Sequence, residues 1–446
     1  MNNKSMREQR GDARVQLPER HQTEIFGRSL DQLIREDHLV RTVVGYCESL
    51  DLSELYESIK ATRGNLGRPP IDPRILFELW LFATLEGENS GRRINELCKR
   101  DVAYMWICGN VSVNYHTICD FRTEHGDLLE RILTDSIALL HLNGLIKLET
   151  IAQDGMRVRA SAGSGTFRRR GSLEESRQAA QKLVDQLDDE SDDDDQDSTK
   201  GQQAARNRAA RERLQRLEEA CQEMEQMQQR YAERNKNLSD KHHRSEPRAS
   251  TTDPQARRMK MGDNGFRPGM NVQFANDADA LVIIEVDVNS EGSDAALLAP
   301  MYDQVCQDYC HPKRYLADGG FSKKEGVTHL EKSGTEFYGK LYNEKKQLDG
   351  GKDPFAAKAS ENEHFTQFRQ RMGTEEAQAI YRRRASAAEF PNAICRNQGL
   401  RQFSVRGLDK AKSQVLWHAL SYNFRRFMNL IDTKTNRTYL EVLMTS

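Results

Sequence analysis

Two strand-like segments of the chain each end in an aspartate followed by glycine. The first reads LETIAQDG and ends at Asp154, and the second reads KRYLADGG and ends at Asp318. Strand-like segments that alternate with amphipathic helices indicate a mixed α/β sheet, and active groups of such sheets gather at the carboxyl ends of strands. Glycine after each acid lets the backbone turn tightly and leaves room for a ligand. Because Asp-Gly is also a plain turn signal, two ordinary turns are the alternative.

Further segments complete the α/β pattern on the carboxyl-terminal side. β-Rich residues at 270–274 and 281–288 flank the turn-forming sequence Asn-Asp-Ala-Asp and predict a β-hairpin. A short strand is predicted over 335–338 and a flexible loop over 344–360. Helices are predicted over residues 293–306, 322–332, 375–395 and 412–431.

The amino-terminal part of the chain is predicted to be helical. A polar arm over residues 1–66 is followed by short helices over 71–85 and from Ser90 and Asn114. Short helices with small-residue turns and scattered arginines favour a helix-turn-helix-like DNA-binding domain over 67–140. His116 and Arg122 are its candidate DNA contacts. A helical packing domain without DNA contact is the alternative.

A pair of charged amphipathic helices is predicted as an insertion over residues 171–240. Residues 173–187 and 206–231 carry apolar positions at helical spacing, which favours an antiparallel coiled-coil hairpin. Partial disorder is the alternative. The hairpin is predicted to interrupt a catalytic domain over 141–446, and its loop contains an acidic run.

The charge of the chain is unevenly distributed along the sequence. The formal net charge is -2, yet nine acids and no Lys or Arg lie between residues 185 and 197. The rest of the chain therefore has 66 basic against 59 acidic residues, and can present basic surface to phosphates. The apolar runs are far shorter than the ~20 residues of a membrane helix, and a polar start without an apolar leader predicts a cytoplasmic protein without membrane contact.

Several longer segments together resemble the insertion-sequence transposases of bacteria with an Asp-Asp-Glu (DDE) triad. These enzymes belong to the RNase H-like superfamily of transposases and retroviral integrases. The helices over 67–130 resemble the amino-terminal domain of these enzymes. The similar segments are STTDPQARRMKMGDNGFRPGMNVQFA at 250–275, VDVNSEGSDAALLAPM at 286–301, the Tyr-x-x-Arg-...-Glu segment at 381–389 and GLRQFSVRGLDKAKSQVLWHALSYNFRRFM at 399–428.

The resemblance implies an RNase H-like mixed-sheet catalytic core and a metal-binding triad of Asp154, Asp318 and Glu389. The expected cofactor is Mg²⁺ (or Mn²⁺), because hard divalent ions prefer oxygen ligands. A pair of such ions supports nicking of transposon ends and attack of the freed 3′-hydroxyl on target DNA. On a regular α-helix, Arg384 and Glu389 are five residues apart and would not be stacked, and Pro391 is expected to break or kink the helix.

The expected partner is double-stranded DNA, namely the terminal inverted repeats and the target, at the nucleoid. The residues proposed to contact DNA or to position the acids are Tyr381, Arg384, Arg396, Arg168, Arg169 and Arg170. Because two ends must be cut together, a homodimer or larger assembly is expected. Two alternatives stay open: a non-catalytic or decayed DNA-binding regulator that dimerises through the helical hairpin, and an RNase H-like nuclease without strand transfer.

Overall fold

The computed structural model describes residues 27–57, 59, 70–190, 200–236, 239 and 246–435. Most of the predicted arm over 1–66, and most of the acidic run, therefore lie outside the described residues. None of the described helices is both long and apolar enough to cross a membrane. The helices that precede the sheet are α1 (Leu30–Leu33), α2 (Leu39–Ser49), α3 (Glu54–Glu57), α4 (Pro73–Leu85), α5 (Gly91–Leu97), α6 (Val102–Cys108), α7 (Tyr115–Glu124) and α8 (Gly126–Leu142).

From residue 150 onwards the described chain contains both strands and helices. The strands are β1 (Thr150–Arg159), β2 (Phe167–Arg168), β3 (Ala249–Ser250), β4 (Arg257–Lys260), β5 (Phe266–Asp277), β6 (Ile283–Asn289), β7 (Arg314–Ala317) and β8 (Glu336–Tyr338). The helices are α9 (Arg170–Glu190), α10 (Lys200–Asn235), α11 (Leu298–Asp308), α12 (Lys324–Lys332), α13 (Glu344–Asp349), α14 (Glu363–Met372), α15 (Glu375–Arg382), α16 (Phe390–Asn397) and α17 (Leu408–Thr435).

The main sheet is mixed and has the strand order β6-β5-β1-β7-β8, with β4 also paired to β5. β5 runs antiparallel to β1, β4 and β6, whereas β1, β7 and β8 are parallel to one another. The predicted hairpin and the short strands β7 and β8 are therefore confirmed. Helices α11 and α12 form the crossovers that lead to β7 and β8, as parallel strands require. This arrangement is the RNase H-like core expected from the sequence.

The start of each early helix follows from its capping residue. Asp72 caps α4 and is followed by proline at the first helical position, and Ser90 and Asn114 cap α5 and α7. These three helices confirm the sequence prediction. α6 and α8 were not predicted from the sequence.

The long helix α17 joins the amino-terminal helices to the sheet. The Trp417 ring lies 4.9 Å from Phe77 and 6.4 Å from Trp80, between ring centroids. On its sheet side, the Asn423 side chain accepts from the Ile283 amide at 2.8 Å and donates to the Ile283 carbonyl at 2.6 Å. One continuous core thus covers both regions. The predicted domain division stays a prediction.

The helices α9 and α10 form the predicted antiparallel hairpin. Its seam buries two small apolar clusters, one of which includes Val184, Leu187 and Ala210. Across the same seam, Arg211 donates to Asp188 at 2.7 Å. The strands β2 and β3 pair at the base of the hairpin, where the chain leaves and re-enters the core.

Four sequence predictions are wrong in detail. The strand at Asp154 does not end there, because pairing with β5 extends β1 to Arg159. The predicted loop over 344–360 begins with α13. The single helix predicted over 375–395 is α15, a π-helix at Ala385–Glu389, and α16. Pro391 lies in the first turn of α16, where its missing N–H is tolerated, and does not end a helix.

A buried polar network fixes β1 against β5. The Gln153 side chain donates to Gln273 at 3.0 Å, and Gln273 donates to Asn271 at 3.0 Å and to Asp294 at 2.8 Å. Arg157 closes the network with a 3.0 Å ion pair to Asp294. Since buried polar groups must be paired, this network favours a single position of β1.

We expect Gly155→Ala to lower the free energy of unfolding by about 1–3 kcal/mol. A Cβ at position 155 would collide with the Gln273 amide and lie 2.8 Å from Oδ1 of Asp294. Urea unfolding of both proteins measures the difference. Gly163→Ala is the control, since a Cβ there meets nothing within 4 Å. Equal stabilities of the two variants would contradict this role of the network.

We expect His418 to make the protein less stable in acid. Burial, aided by the charge of Arg122, lowers the pKa of His418 from 6.5 to about 3. In the unfolded chain, His418 therefore takes up a proton as the pH falls below about 6.5. In the folded chain, His418 stays neutral until about pH 3. This proton uptake reduces stability by up to about 1.4 kcal/mol per pH unit.

Urea unfolding from pH 7 downwards tests this expectation. His418→Leu should show a weaker loss of stability between pH 6.5 and 3 than the original chain. His116→Leu, at an exposed position of α7, is the control and should leave the profile unchanged. Superimposable profiles for His418→Leu and the original chain would contradict the burial argument.

Candidate functional site

Asp154 and Asp318 lie side by side at one edge of the parallel part of the sheet. The register pairs Gln153 with Ala317, so the next residue on each strand is one of the two acids. Pairing of β1 with β7 stops at this point, although β1 itself continues along β5. Asp318 is exposed and caps a 3-10 turn, where its side chain accepts from the Gly319 amide at 2.5 Å.

The third acid, Glu389, is the last residue of the π-helix Ala385–Glu389. Arg384 donates to Glu389 at 2.9 Å, so the expectation that the two residues are not stacked is wrong. A π turn bonds each residue to the fifth one along, which brings positions five apart onto one face. Single π turns inside α-helices are frequent at functional sites.

Arg384 is the cation that links the three acids. Its side chain is only 14% exposed, and its guanidinium lies 5.8 Å from the centroid of the Tyr381 ring. Burial opposes its charge, but Tyr381, Asp154, Asp318 and Glu389 together raise the pKa of Arg384. The guanidinium therefore carries a full positive charge among these carboxylates.

The surroundings of Asp154 raise the pKa of its carboxyl. Burial raises the pKa of Asp154 from 3.8 to about 6, and the negative charge of Asp318 adds to the rise. The positive charge of Arg384, the Gly155 amide and the Asn392 side chain act in the opposite direction. Such a carboxyl is still ionised at neutral pH, and its charge is poorly compensated by solvent.

Asn392 is a site residue that sequence reasoning missed. It is buried in α16, and its amide donates to Oδ2 of Asp154 at 2.9 Å. The available signal is its spacing, because residues three apart on a helix share a face and Asn392 follows Glu389 by three. Asn392 therefore links α16, which directly follows Glu389, to β1, which carries Asp154.

The other predicted site residues do not join this group. Arg396 is exposed near the end of α16, His116 is exposed on α7, and residues 168–170 are exposed where the hairpin begins. Arg122 is buried, donates to the Asn89 carbonyl at 3.1 Å and has its guanidinium 4.9 Å from the Trp80 ring centroid. The burial of Arg122 does not favour a contact with DNA, so its predicted role is not carried further.

The acids present oxygen ligands of the kind that Mg²⁺ prefers. Asp154 and Asp318 fit this requirement through their adjacent positions on β1 and after β7. Within the described part of the chain, however, no three His, Cys, Asp or Glu side chains are gathered to hold a metal ion. Glu389 is instead paired with Arg384, and its side chain is 57% exposed. A site of all three acids requires Glu389 to leave that ion pair.

Comparisons with known proteins identify two families in the chain. Residues 28–124 match the family described as Transposase domain (DUF772), and residues 240–424 match the family described as Transposase DDE domain. The second match includes Asp318 and Glu389, whereas Asp154 and the helical hairpin lie between the two matched stretches. No curated protein and no solved structure matches the chain.

We expect deletion of Ser386 to be tolerated, because it converts the π turn into an α turn. Arg384 and Glu389 then stand four residues apart, where an α-helix still allows an ion pair. The free energy of unfolding should fall by less than about 1 kcal/mol, the range of mild substitutions. Denaturant unfolding measures the change.

Deletion of Gln378 provides the contrast, because it lies in the regular helix α15. Removing one residue there turns the residues on one side by about 100° relative to the other. Its cost should reach about 3 kcal/mol or more, since Ala377 and Tyr381 are buried. Equal losses of stability for the two deletions would contradict the view that the π turn results from one extra residue in an otherwise regular helix.

Proposed function

Because this chain belongs to the DDE transposases, which transfer phosphoryl groups on DNA, we propose that it nicks transposon ends by hydrolysis. It then joins the freed 3′-hydroxyl to target DNA. The proposed triad is Asp154, Asp318 and Glu389. The observation that carries the proposal is the register of β1 and β7, which supports a common reaction centre for the first two acids.

We propose that these carboxylates hold Mg²⁺ (or Mn²⁺). Bound divalent ions activate a water or hydroxyl and stabilise the departing oxygen of a phosphodiester. The residues of the chain prepare this centre: the half-buried Asp154 is ionised at neutral pH, and Asn392 donates to its Oδ2 atom. Arg384 balances the negative charge until Glu389 turns toward the other acids.

The DNA backbone is proposed to contact Arg384 at the reaction centre. Tyr381 is buried, with its ring centroid 5.8 Å from the guanidinium, and is proposed to position Arg384. A guanidinium freed from Glu389 offers several donors to phosphate oxygens. Arg396 and the basic residues 168–170 are exposed and are proposed to extend this contact to the terminal repeats. Since both ends must be cut in one event, the active form is proposed to be a homodimer or larger assembly.

We expect Asp154→Asn, Asp318→Asn and Glu389→Gln each to abolish Mg²⁺-dependent nicking of end-containing DNA. The rate should fall at least ~100-fold, since several kcal/mol of charge stabilisation are lost. Joining of pre-cut 3′ ends to a target plasmid should fall equally. Both reactions are followed on gels with labelled DNA.

The matched controls are Asp349→Asn and Glu376→Gln, at exposed acids outside the triad. Both controls should retain the original rates. Full activity in one triad variant would remove that residue from the proposal. Nicking without any joining by the original chain would favour a nuclease, and DNA binding without nicking would favour a regulator.

A further inference from the structure

A cleft of about 620 Å³ opens beside the turn that follows Asp318. Four lysines contribute to its lining, and we name it the lysine cleft. They are Lys324 on α12 and Lys346, Lys352 and Lys358 in the segment between β8 and α14. The sequence predicts a flexible loop over residues 344–360. Such a prediction does not indicate that these lysines line one cleft.

The charge of the lysine cleft is not neutralised by its own lining. The lining carboxylate, Glu361, forms a 2.5 Å ion pair with Arg369, which cancels both charges. Lys346, Lys352 and Lys358 are exposed and have no carboxylate partner in the described part of the chain. Three further acids of the segment lie outside the lining: Glu344, Asp349 and Asp353. A cleft with uncompensated lysines attracts a polyanion.

The lysine cleft lies beside the turn that carries Asp318. The register of β7 with β8 pairs Leu316 with Tyr338, so Lys340 stands level with Asp318. A Cβ on Gly319 would lie 3.2 Å from the Cβ of Lys340, which shows how closely the two turns approach. The next residue after Lys340, Leu341, already lines the cleft. The turn after Asp318 therefore lies next to the segment that lines the cleft.

A largely solvent-exposed aromatic side chain lies among these lysines. Tyr342 lines the cleft and is 83% exposed, whereas its neighbour Leu341 is buried and anchors the backbone. Such exposure contributes little to the core, but it offers a flat surface for a nucleobase. Basic grooves combined with accessible aromatic rings are the usual means of binding single-stranded nucleic acid.

We propose that the lysine cleft binds an unpaired stretch of DNA next to the phosphate that is cut. Lys346, Lys352 and Lys358 contact its phosphates, and one base stacks on Tyr342. The inference rests on the proposed function, because a nick at Asp318 creates a strand end that can separate from its complement. It differs from that function in naming a second surface and the form of DNA that this surface selects.

The first test measures binding of an oligothymidine of about 12 nucleotides, a length within the usual site sizes. Fluorescence anisotropy in EDTA at several salt concentrations gives the affinity and its salt dependence without any catalysis. The triple variant K346Q/K352Q/K358Q should reduce the slope of log affinity against log salt by about 2, at ~0.7 per lost phosphate contact. The triple control K182Q/K260Q/K332Q removes as many exposed lysines elsewhere and should keep the slope.

The second test separates stacking from charge at Tyr342. Tyr342→Ala should weaken oligothymidine binding about 5- to 100-fold, the range for loss of one stacked base. Tyr342→Phe keeps the ring and should bind as the original chain does. Duplex DNA of the same length should respond much less to both variants, because its bases are already stacked.

Three results would overturn the proposal: an unchanged salt slope in the cleft variant, equal weakening by Ala and Phe at position 342, or equal losses for duplex and single strands. Failure of the proposed function is distinguishable, because it is measured as missing Mg²⁺-dependent nicking. The binding tests in EDTA do not depend on that reaction. Thermal unfolding of each variant checks that these exposed substitutions leave the fold intact.

Discussion

The parallel pairing of β1 with β7 is the constraint on which the rest of the site depends. Four residue pairs, ending at Gln153 and Ala317, bring Asp154 and Asp318 to the same level although 164 positions separate them in the chain. A shift of one residue would turn one of the acids to the opposite face of the sheet. The Tyr315 hydroxyl on β7 donates to the Gln153 side chain on β1 at 3.0 Å and opposes such a shift, because a slip leaves these buried groups unpaired.

Partial burial of Asp154 at this edge has an electrostatic cost, which Arg384 partly offsets. Its guanidinium is nearly enclosed and acts on Asp154, Asp318 and Glu389 together. The π turn makes this possible, since it brings Arg384 and Glu389 onto one face. The same ion pair holds Glu389 away from a common metal site. In the described conformation two of the proposed metal ligands are adjacent, and the third, Glu389, is paired with Arg384.

Much of the fold was predictable because its signals are local. Caps at Asp72, Ser90 and Asn114, the β-hairpin and the seam of the α9–α10 hairpin follow from residue type and spacing. The continuation of β1 beyond Asp154 was not predictable, since it depends on pairing with β5, more than 100 residues away. Likewise, the role of Asn392 depends on the approach of α16 to β1. The Arg384–Glu389 pair was not predictable either, because the spacing argument assumed 3.6 residues per turn and the π turn does not follow it.

The central claim is that Asp154, Asp318 and Glu389 act at one metal centre. A crystal structure of the chain with Mn²⁺ and a cut DNA end, with the ions located by anomalous scattering, tests it most directly. We expect Mn²⁺ within about 2.1 Å of oxygens from both aspartates, with Glu389 released from Arg384 and turned toward the ions. Ions bound to only one of the aspartates, or Glu389 still paired with Arg384 in that complex, would contradict the claim.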